Sequence, residues 1–403
     1  MKKILITLLL LGIITSCTDN KNENRDTTSA EVKLISSPAS DSCAEPYLFT
    51  DNNGTIYLSW IEKKGKESSL KFSAFSNSQW SAPVIIASGN NWFVNWADYP
   101  VVATDGNKNF LAHFLEKNDT AKFTYDVKLV SSADGGKSWG NSGTLNDDGK
   151  KAEHGFVSII PYKDQFFVCW LDGRKTADEE SDSGDYGHHG EMTLRAALID
   201  KNGNKINEWE LDGRVCDCCQ TTAAIADAGL VVIYRDRSDD EVRDMSIVRY
   251  VNGGWTTPKT IHADNWQIKG CPVNGPSAAA MKNNLAVAWF SMADKKGNVK
   301  IIFSKDGGET FNAPVSIDEG KPIGRVDVVM LDDATAMVSW MEGPSIKAVK
   351  VHVDGKKESS IMIASSSEAR SSGFPQMIKS GDKLIFAWTD DKAKTIRIAS
   401  FKL

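Results

Sequence analysis

Long apolar runs are nearly missing from this 403-residue chain: past residue 16, no stretch is long enough to cross a bilayer as a helix. Convincing long amphipathic helices are missing too. Apolar residues come instead in alternating or continuous runs of four to seven, which is strand behaviour. An excess of basic charge is also absent, since 47 Lys and Arg stand against 53 Asp and Glu for a net charge of −6. Binding to a phosphate backbone needs clustered Lys and Arg, so this balance argues against a nucleic-acid partner. No linker or shift of composition divides the chain after residue 31, and one domain is expected from 31 to 403.

What is present is a repeat. An apolar strand, an Asn/Asp/Gly turn and a second strand ending in an aromatic residue recur seven times, with anchors at Trp60, Phe114, Trp170, Tyr234, Trp289, Trp340 and Trp388. Their spacings are 54, 56, 64, 55, 51 and 48 residues, which suits one four-stranded blade per copy. An acid follows the anchor two residues later in every copy except that of Trp289. The expected fold is an all-β propeller of seven four-stranded blades, with six blades as the alternative. The last copy ends after three strands, and Val32–Ser37 is a strand without a copy of its own. It is therefore expected to complete the last blade, closing the ring by pairing the two chain ends.

Tight turns punctuate the repeat. Ser132-Ala133-Asp134-Gly135-Gly136-Lys137-Ser138-Trp139 combines an Asp that caps the turn, two Gly that tolerate positive φ, and an aromatic plug. Ser304-Lys305-Asp306-Gly307-Gly308-Glu309-Thr310-Phe311 is a second copy, and worn copies end at Trp80, Trp209 and Trp255. Trp92, Trp96 and Trp266 fall in connecting loops, where an indole is available for a ligand.

These two turns resemble the Asp boxes of sialidase/neuraminidase-type propellers, the BNR repeats. The resemblance spans about residues 31 to 403 and implies a fold, because Asp boxes of that superfamily lie away from its active site. Sialidases carry an Arg in a Phe/Tyr-Arg-Ile-Pro motif near the first blade, where this chain reads Cys43-Ala44-Glu45-Pro46-Tyr47. No catalytic residue carries over. At the amino terminus, Lys2-Lys3, the apolar Ile4–Ile14 and Ile14-Thr15-Ser16-Cys17 resemble the lipobox of bacterial lipoproteins. That implies a signal peptide over 1–16, lipidation at Cys17, a disordered tether over 17–30, and anchorage to the cell envelope, at the outer membrane or cell surface.

In a propeller the inner strands begin, and the second strands end, on one face. This rule gathers Asp98, His154, Cys216 to Gln220, Cys271, Asn274, Arg325, Asp327, Asp172, Arg174, Arg235, Asp236, Arg237 and Glu342 at one mouth, with His188 and His189 from a nearby loop. Three readings stay open. In the first, Arg174, Arg235, Arg237 and Arg325 grip an acidic glycan or small anionic ligand, with His154, Asn274 and Asp327 beside it. Asp98, Asp236 or Glu342 then supply the carboxyl acid/base pair for hydrolysis. Elimination by His154 with Tyr186 or Tyr234 is a second choice. The bland counterpart has these acids and Arg residues paired between blades.

In the second reading, Cys216, Cys218, Cys219 and Cys271 with His188, His189 or His154 bind Zn or Cu, or else form disulfides, for which the six Cys left after Cys17 allow 15 pairings. Cys218 and Cys219 are expected on opposite faces of a strand. In the third, the propeller is a docking platform without chemistry. Cys169 is expected as a buried free thiol, and the acidic stretch Asp178–Asp185 as a solvated insertion rather than a calcium loop.

Overall fold

The computed structural model describes residues 31–177 and 190–403, so Cys17, the acidic stretch 178–185, Tyr186, His188 and His189 lie outside the described residues. Seven antiparallel sheets surround a central channel. Their inner strands, from blade 1 to blade 7, are Cys43–Thr50, Val102–Thr104, His154–Tyr162, Thr222–Ala226, Ser277–Met281, Pro322–Asp332 and Gln376–Ser380. In blades 1 and 4 the outer strand is broken into two short pieces pairing with the same third strand. Val32–Ile35 pairs with Thr395–Lys402, Val32 facing Phe401 and Ile35 facing Ile398, so the last blade takes its fourth strand from the start of the chain. Among the described residues no helix is long and apolar enough to cross a membrane.

Each blade is buried on both faces, which is why its second strand reads as a continuous apolar run. In Gln165–Asp172 of blade 3, Phe166, Val168 and Trp170 join a core with blade 2, while Phe167, Cys169 and Leu171 join a core with blade 4. This is the period of two of a strand, with apolar neighbours on either side. Trp60, Trp170, Trp289 and Trp340 are at most 1% exposed. Cys169 is a free buried thiol whose S–H reaches the Thr221 hydroxyl at 3.5 Å.

The Asp boxes are rigid plugs between blades. Asp134 Oδ1 accepts the Lys137 and Ser138 N–H groups at 3.0 Å each, and Oδ2 accepts the Ser138 hydroxyl at 2.6 Å. Trp139 then meets the Phe72 ring of blade 1 edge-on, with centroids 5.9 Å apart. In the second box Asp306 accepts the Thr310 N–H at 2.9 Å, and Phe311 enters the core between blades 4 and 5.

The box supplies an internal control. Gly135 and Gly136 have φ of +82° and +78°, a region that costs a residue with a Cβ about 1–2 kcal/mol. A Cβ at Gly135 meets nothing within 4 Å, whereas one at Gly136 would lie 2.5 Å from Phe72 Cζ. Gly136→Ala is expected to lower the urea midpoint clearly more than Gly135→Ala. Equal losses would show that the box does not wedge against blade 1.

Candidate functional site

The polar floor of the molecule is the channel. A cavity of about 220 Å³ runs between the inner strands and is lined by Tyr47, Asp98, Tyr99, Ser158, Gln220, Thr221, Ser277, Asp327 and Gln376 among others. Asp327 joins three blades. Its Oδ1 accepts the Ser277 hydroxyl and the Val328 N–H at 2.9 Å each, and its Oδ2 accepts the Met377 N–H at 2.7 Å. Burial outweighs these bonds and pushes its carboxyl up to about 6. Asp98 accepts the Phe156 N–H at 2.7 Å, and burial holds it well above the usual carboxylate range. It fits only because residue 155 is Gly, where a Cβ would lie 2.0 Å from Asp98 Oδ2.

Above the channel, most charges predicted for the mouth are already engaged. Arg174 grips Asp172 with two hydrogen bonds of 2.7 Å, and Asp148 at 3.3 Å. Arg237 is held by Glu241 at 2.8 Å and Asp217 at 3.4 Å. Arg235, expected among the guanidiniums that grip a ligand, instead enters the protein between blades 4 and 5. It donates to the carbonyls of Asn274, Arg243 and Phe290 at 2.7 Å each and lies 4.8 Å over the Trp266 ring. The indole of Trp266 is thereby taken up, and Trp92 stacks on Phe114 at 4.3 Å. Asn274 Oδ1 accepts the Arg325 N–H at 2.8 Å, a bond between neighbouring blades.

The recurring acids prove structural. Trp170 and Trp340 donate their indole N–H to Asp172 and Glu342 at 2.8 and 2.7 Å. Trp289, whose copy lacks the acid, donates instead to Asp264 at 2.6 Å. Glu342 also accepts two backbone N–H groups, from Glu319 and Lys321. Asp236 accepts the Ser246 hydroxyl at 2.9 Å, and burial raises its carboxyl. Of the two elimination pairs, His154 with Tyr186 falls partly outside the described residues, and in His154 with Tyr234 both side chains are bonded elsewhere. His154 is buried between the Tyr125 carbonyl at 3.1 Å and Asp148 at 3.0 Å, while Tyr234 donates to Asp212 at 2.5 Å. Burial opposes protonation of His154, but Asp148 and Asp172 prevail and raise it.

Two groups at the mouth do converge. Arg325, with φ of +55° at an irregularity of the blade 6 inner strand, donates to the Ser372 hydroxyl at 2.7 Å and to the carbonyls of Gly373, Ala369 and Glu368 at 3.0, 3.1 and 3.3 Å. Its guanidinium lies 5.0 Å from the Trp96 ring, Arg370 lies 5.9 Å from the same ring, and Phe374 stacks on that indole at 5.6 Å. Burial first, and then Arg370, pull Arg325 down to about 10. Among the described residues neither guanidinium has a carboxylate at ion-pair distance.

The second group is the cysteines. Cys216, Cys218 and Cys219 lie in a turn between blades 3 and 4, not in a strand, so their sulfurs share one side rather than opposite faces. Cys216 Sγ is 3.5 Å from Cys219 Sγ and 3.9 Å from Cys218 Sγ, and the exposed Cys271 thiol contacts Cys218. Burial raises Cys216 and Cys218. Cys219 is held well below its ordinary value, since the two neighbouring thiols and Arg235 outweigh burial. His154 is not among the residues touching these thiols.

Residues 62–386 match the BNR repeat-like domain family. The chain belongs to that family. No curated protein matches it. Among solved structures, this BNR propeller is similar to a polysaccharide lyase, Uly1, at 9% identity over 89% of this chain and 90% of that one, with a TM-score of 0.54. A puromycin-hydrolysing peptidase of Mycobacterium tuberculosis matches at 8% identity over 88% of this chain and 53% of that one, with a TM-score of 0.50. A Hadza microbial sialidase, Hz136, matches at 15% identity over 74% of this chain, with a TM-score of 0.44, and the BNR propeller spans 63% of its length. At these identities the likeness is one of fold.

The inner-strand rule, extended to blades 1 and 7, also reaches Glu45 and Arg370. Glu45, in the blade 1 inner strand, has φ of +51°. Its Oε2 lacks a partner among the described residues, and burial pushes the carboxyl up to about 7. Glu153 is likewise raised to about 7 by burial. A carboxyl raised in the folded state is favoured neutral, so its contribution is full at low pH and is lost as pH rises from its ordinary value, 4.5 for Glu45, through the folded one. Denaturant melts of the BNR propeller should therefore show stability falling from about pH 5 to about pH 8, with Glu45→Gln removing a share on the order of 3 kcal/mol. Stability that keeps rising to pH 8 in the unmutated protein would contradict the burial of these carboxyls.

Proposed function

We propose that this BNR propeller is a lipid-anchored protein of the cell envelope that binds the carboxylate-bearing end of a glycan at its channel mouth. The observation carrying this reading is the pair Arg325 and Arg370 on Trp96, two positive charges without a carboxylate among the described residues. Arg325 spends its donors on carbonyls and supplies field, while the exposed Arg370 retains donors that match a carboxylate. Burial in the channel favours the neutral forms of Asp327 and Asp98, the form a general acid needs for glycoside cleavage. Membership of the BNR family and a propeller fold shared with a polysaccharide lyase agree with a carbohydrate ligand.

Calorimetry against sialic and uronic acid oligosaccharides tests the reading. Arg370→Ala should weaken binding roughly 10- to 100-fold, as expected for losing a hydrogen-bonded charge, and leave thermal unfolding unchanged. Arg235→Ala should behave oppositely, losing about 3 kcal/mol of stability because buried carbonyls of three residues lose their donor. If the unmutated protein binds no acidic oligosaccharide, or Arg370→Ala binds as well as the parent, the reading fails.

A further inference from the structure

The turn Cys216-Asp217-Cys218-Cys219 has no part in the carboxylate site, yet its geometry is that of a ligand set. Thiols buried for packing point wherever space allows, whereas these three bring their sulfurs within 4.8 Å of one another. Four sulfurs placed tetrahedrally at the zinc–thiolate distance of about 2.3 Å would stand about 3.8 Å apart. The separations in the turn, 3.5 and 3.9 Å, bracket that edge. Cys271, from the connection between blades 4 and 5, meets the cluster at Cys218 and is the exposed member, so it provides the fourth ligand and the way in.

The surroundings match a thiolate cluster rather than a patch of apolar core. Arg243, 3% exposed, donates from Nη1 to Cys216 Sγ at 3.2 Å, and the Asn274 N–H points at Cys219. Such N–H to sulfur bonds orient metal-bound thiolates and spread their charge. Arg235 adds a second buried cation near Cys219. We propose that Cys216, Cys218, Cys219 and Cys271 bind one thiophilic ion, Zn²⁺ or Cu⁺, in an all-sulfur site at the channel mouth. Binding releases the thiol protons and oxidises nothing. Gln220, next to Cys219, bonds the Ala97 carbonyl at 2.6 Å and the Gly275 N–H at 2.9 Å, so the ion would stiffen the mouth where the connections into blades 2, 4 and 5 meet. The other convergent group, Asp148, His154 and Asp172, is already bridged by the Arg174 guanidinium.

The full chain, purified untagged, would be titrated with Zn²⁺ and separately with Cu⁺ under anaerobic conditions, then desalted and assayed by elemental analysis. Co²⁺ as a substitute should give thiolate-to-metal charge-transfer bands and the visible bands of a tetrahedral site. One ion per chain is expected, and competition against chelators specific for each metal decides between them. Cys216→Ser or Cys219→Ser should abolish uptake. Cys271→Ser, at an exposed position that leaves the fold intact, should weaken it roughly 10-fold or more. Failure of the reduced, folded protein to retain either ion overturns the proposal, as does mass-spectrometric detection of disulfides among these four Cys in the protein as isolated. Neither outcome touches the Arg370 reading, which is measured on glycan binding.

Discussion

Everything in this molecule depends on burying both faces of seven small sheets. The solution is circular, and the aromatic anchors show how it is met. Trp60 packs in the core between blades 7 and 1, Phe114 in that between 1 and 2, Trp170 between 2 and 3, and so on to Trp388 between 6 and 7. Each anchor thus points to the blade before its own. A single sheet has no other way to cover its second face, and the last interface exists only because blade 7 borrows Val32–Ile35 and closes on blade 1.

That constraint also dictates where polar chemistry is placed. Strand interiors are committed to apolar contact, so charged groups gather at strand ends and must be satisfied there. The chain does this with repeated devices: an acid taking the indole N–H of its own blade's Trp, and guanidiniums spanning blades through carbonyls. In blade 5 the distant Asp264 serves Trp289, whereas in blade 1 the Trp60 indole N–H has no acceptor among the described residues, although Glu62 follows two residues later. A buried indole N–H without an acceptor is costly, and the carboxylates beside Trp170, Trp289 and Trp340 relieve that cost.

Against this background of paired groups, the departures stand out. Arg325 and Arg370 share an indole and repel one another, and three thiols crowd within van der Waals distance in a turn whose neighbours are cations. The first pair has no carboxylate at ion-pair distance among the described residues, whereas Arg243 beside the thiols is also held by Glu241 at 2.9 Å. The two departures are connected through the channel wall: Gln220 follows Cys219 and bonds the carbonyl of Ala97, the residue after Trp96.

Fold, blade number and ring closure were legible along the chain because they rest on period-two burial, turn chemistry and a repeat near 54 residues, all properties of neighbours in sequence. The face on which the polar residues gather was legible for the same reason. The roles of Arg235, Arg237 and Arg174 were not, since what separates a ligand-binding guanidinium from a structural one is whether carbonyls or carboxylates from other blades reach it. The cysteine turn was misread as strand because Cys-x-Cys-Cys has no local signal that distinguishes a turn from an extended run. Sequence alone determined the ring of seven copies and the polar groups at their strand ends. Only the tertiary structure, by bringing partners from distant blades within hydrogen-bond range, decided which of them are spent on holding the ring together and which keep charge and sulfur for a ligand.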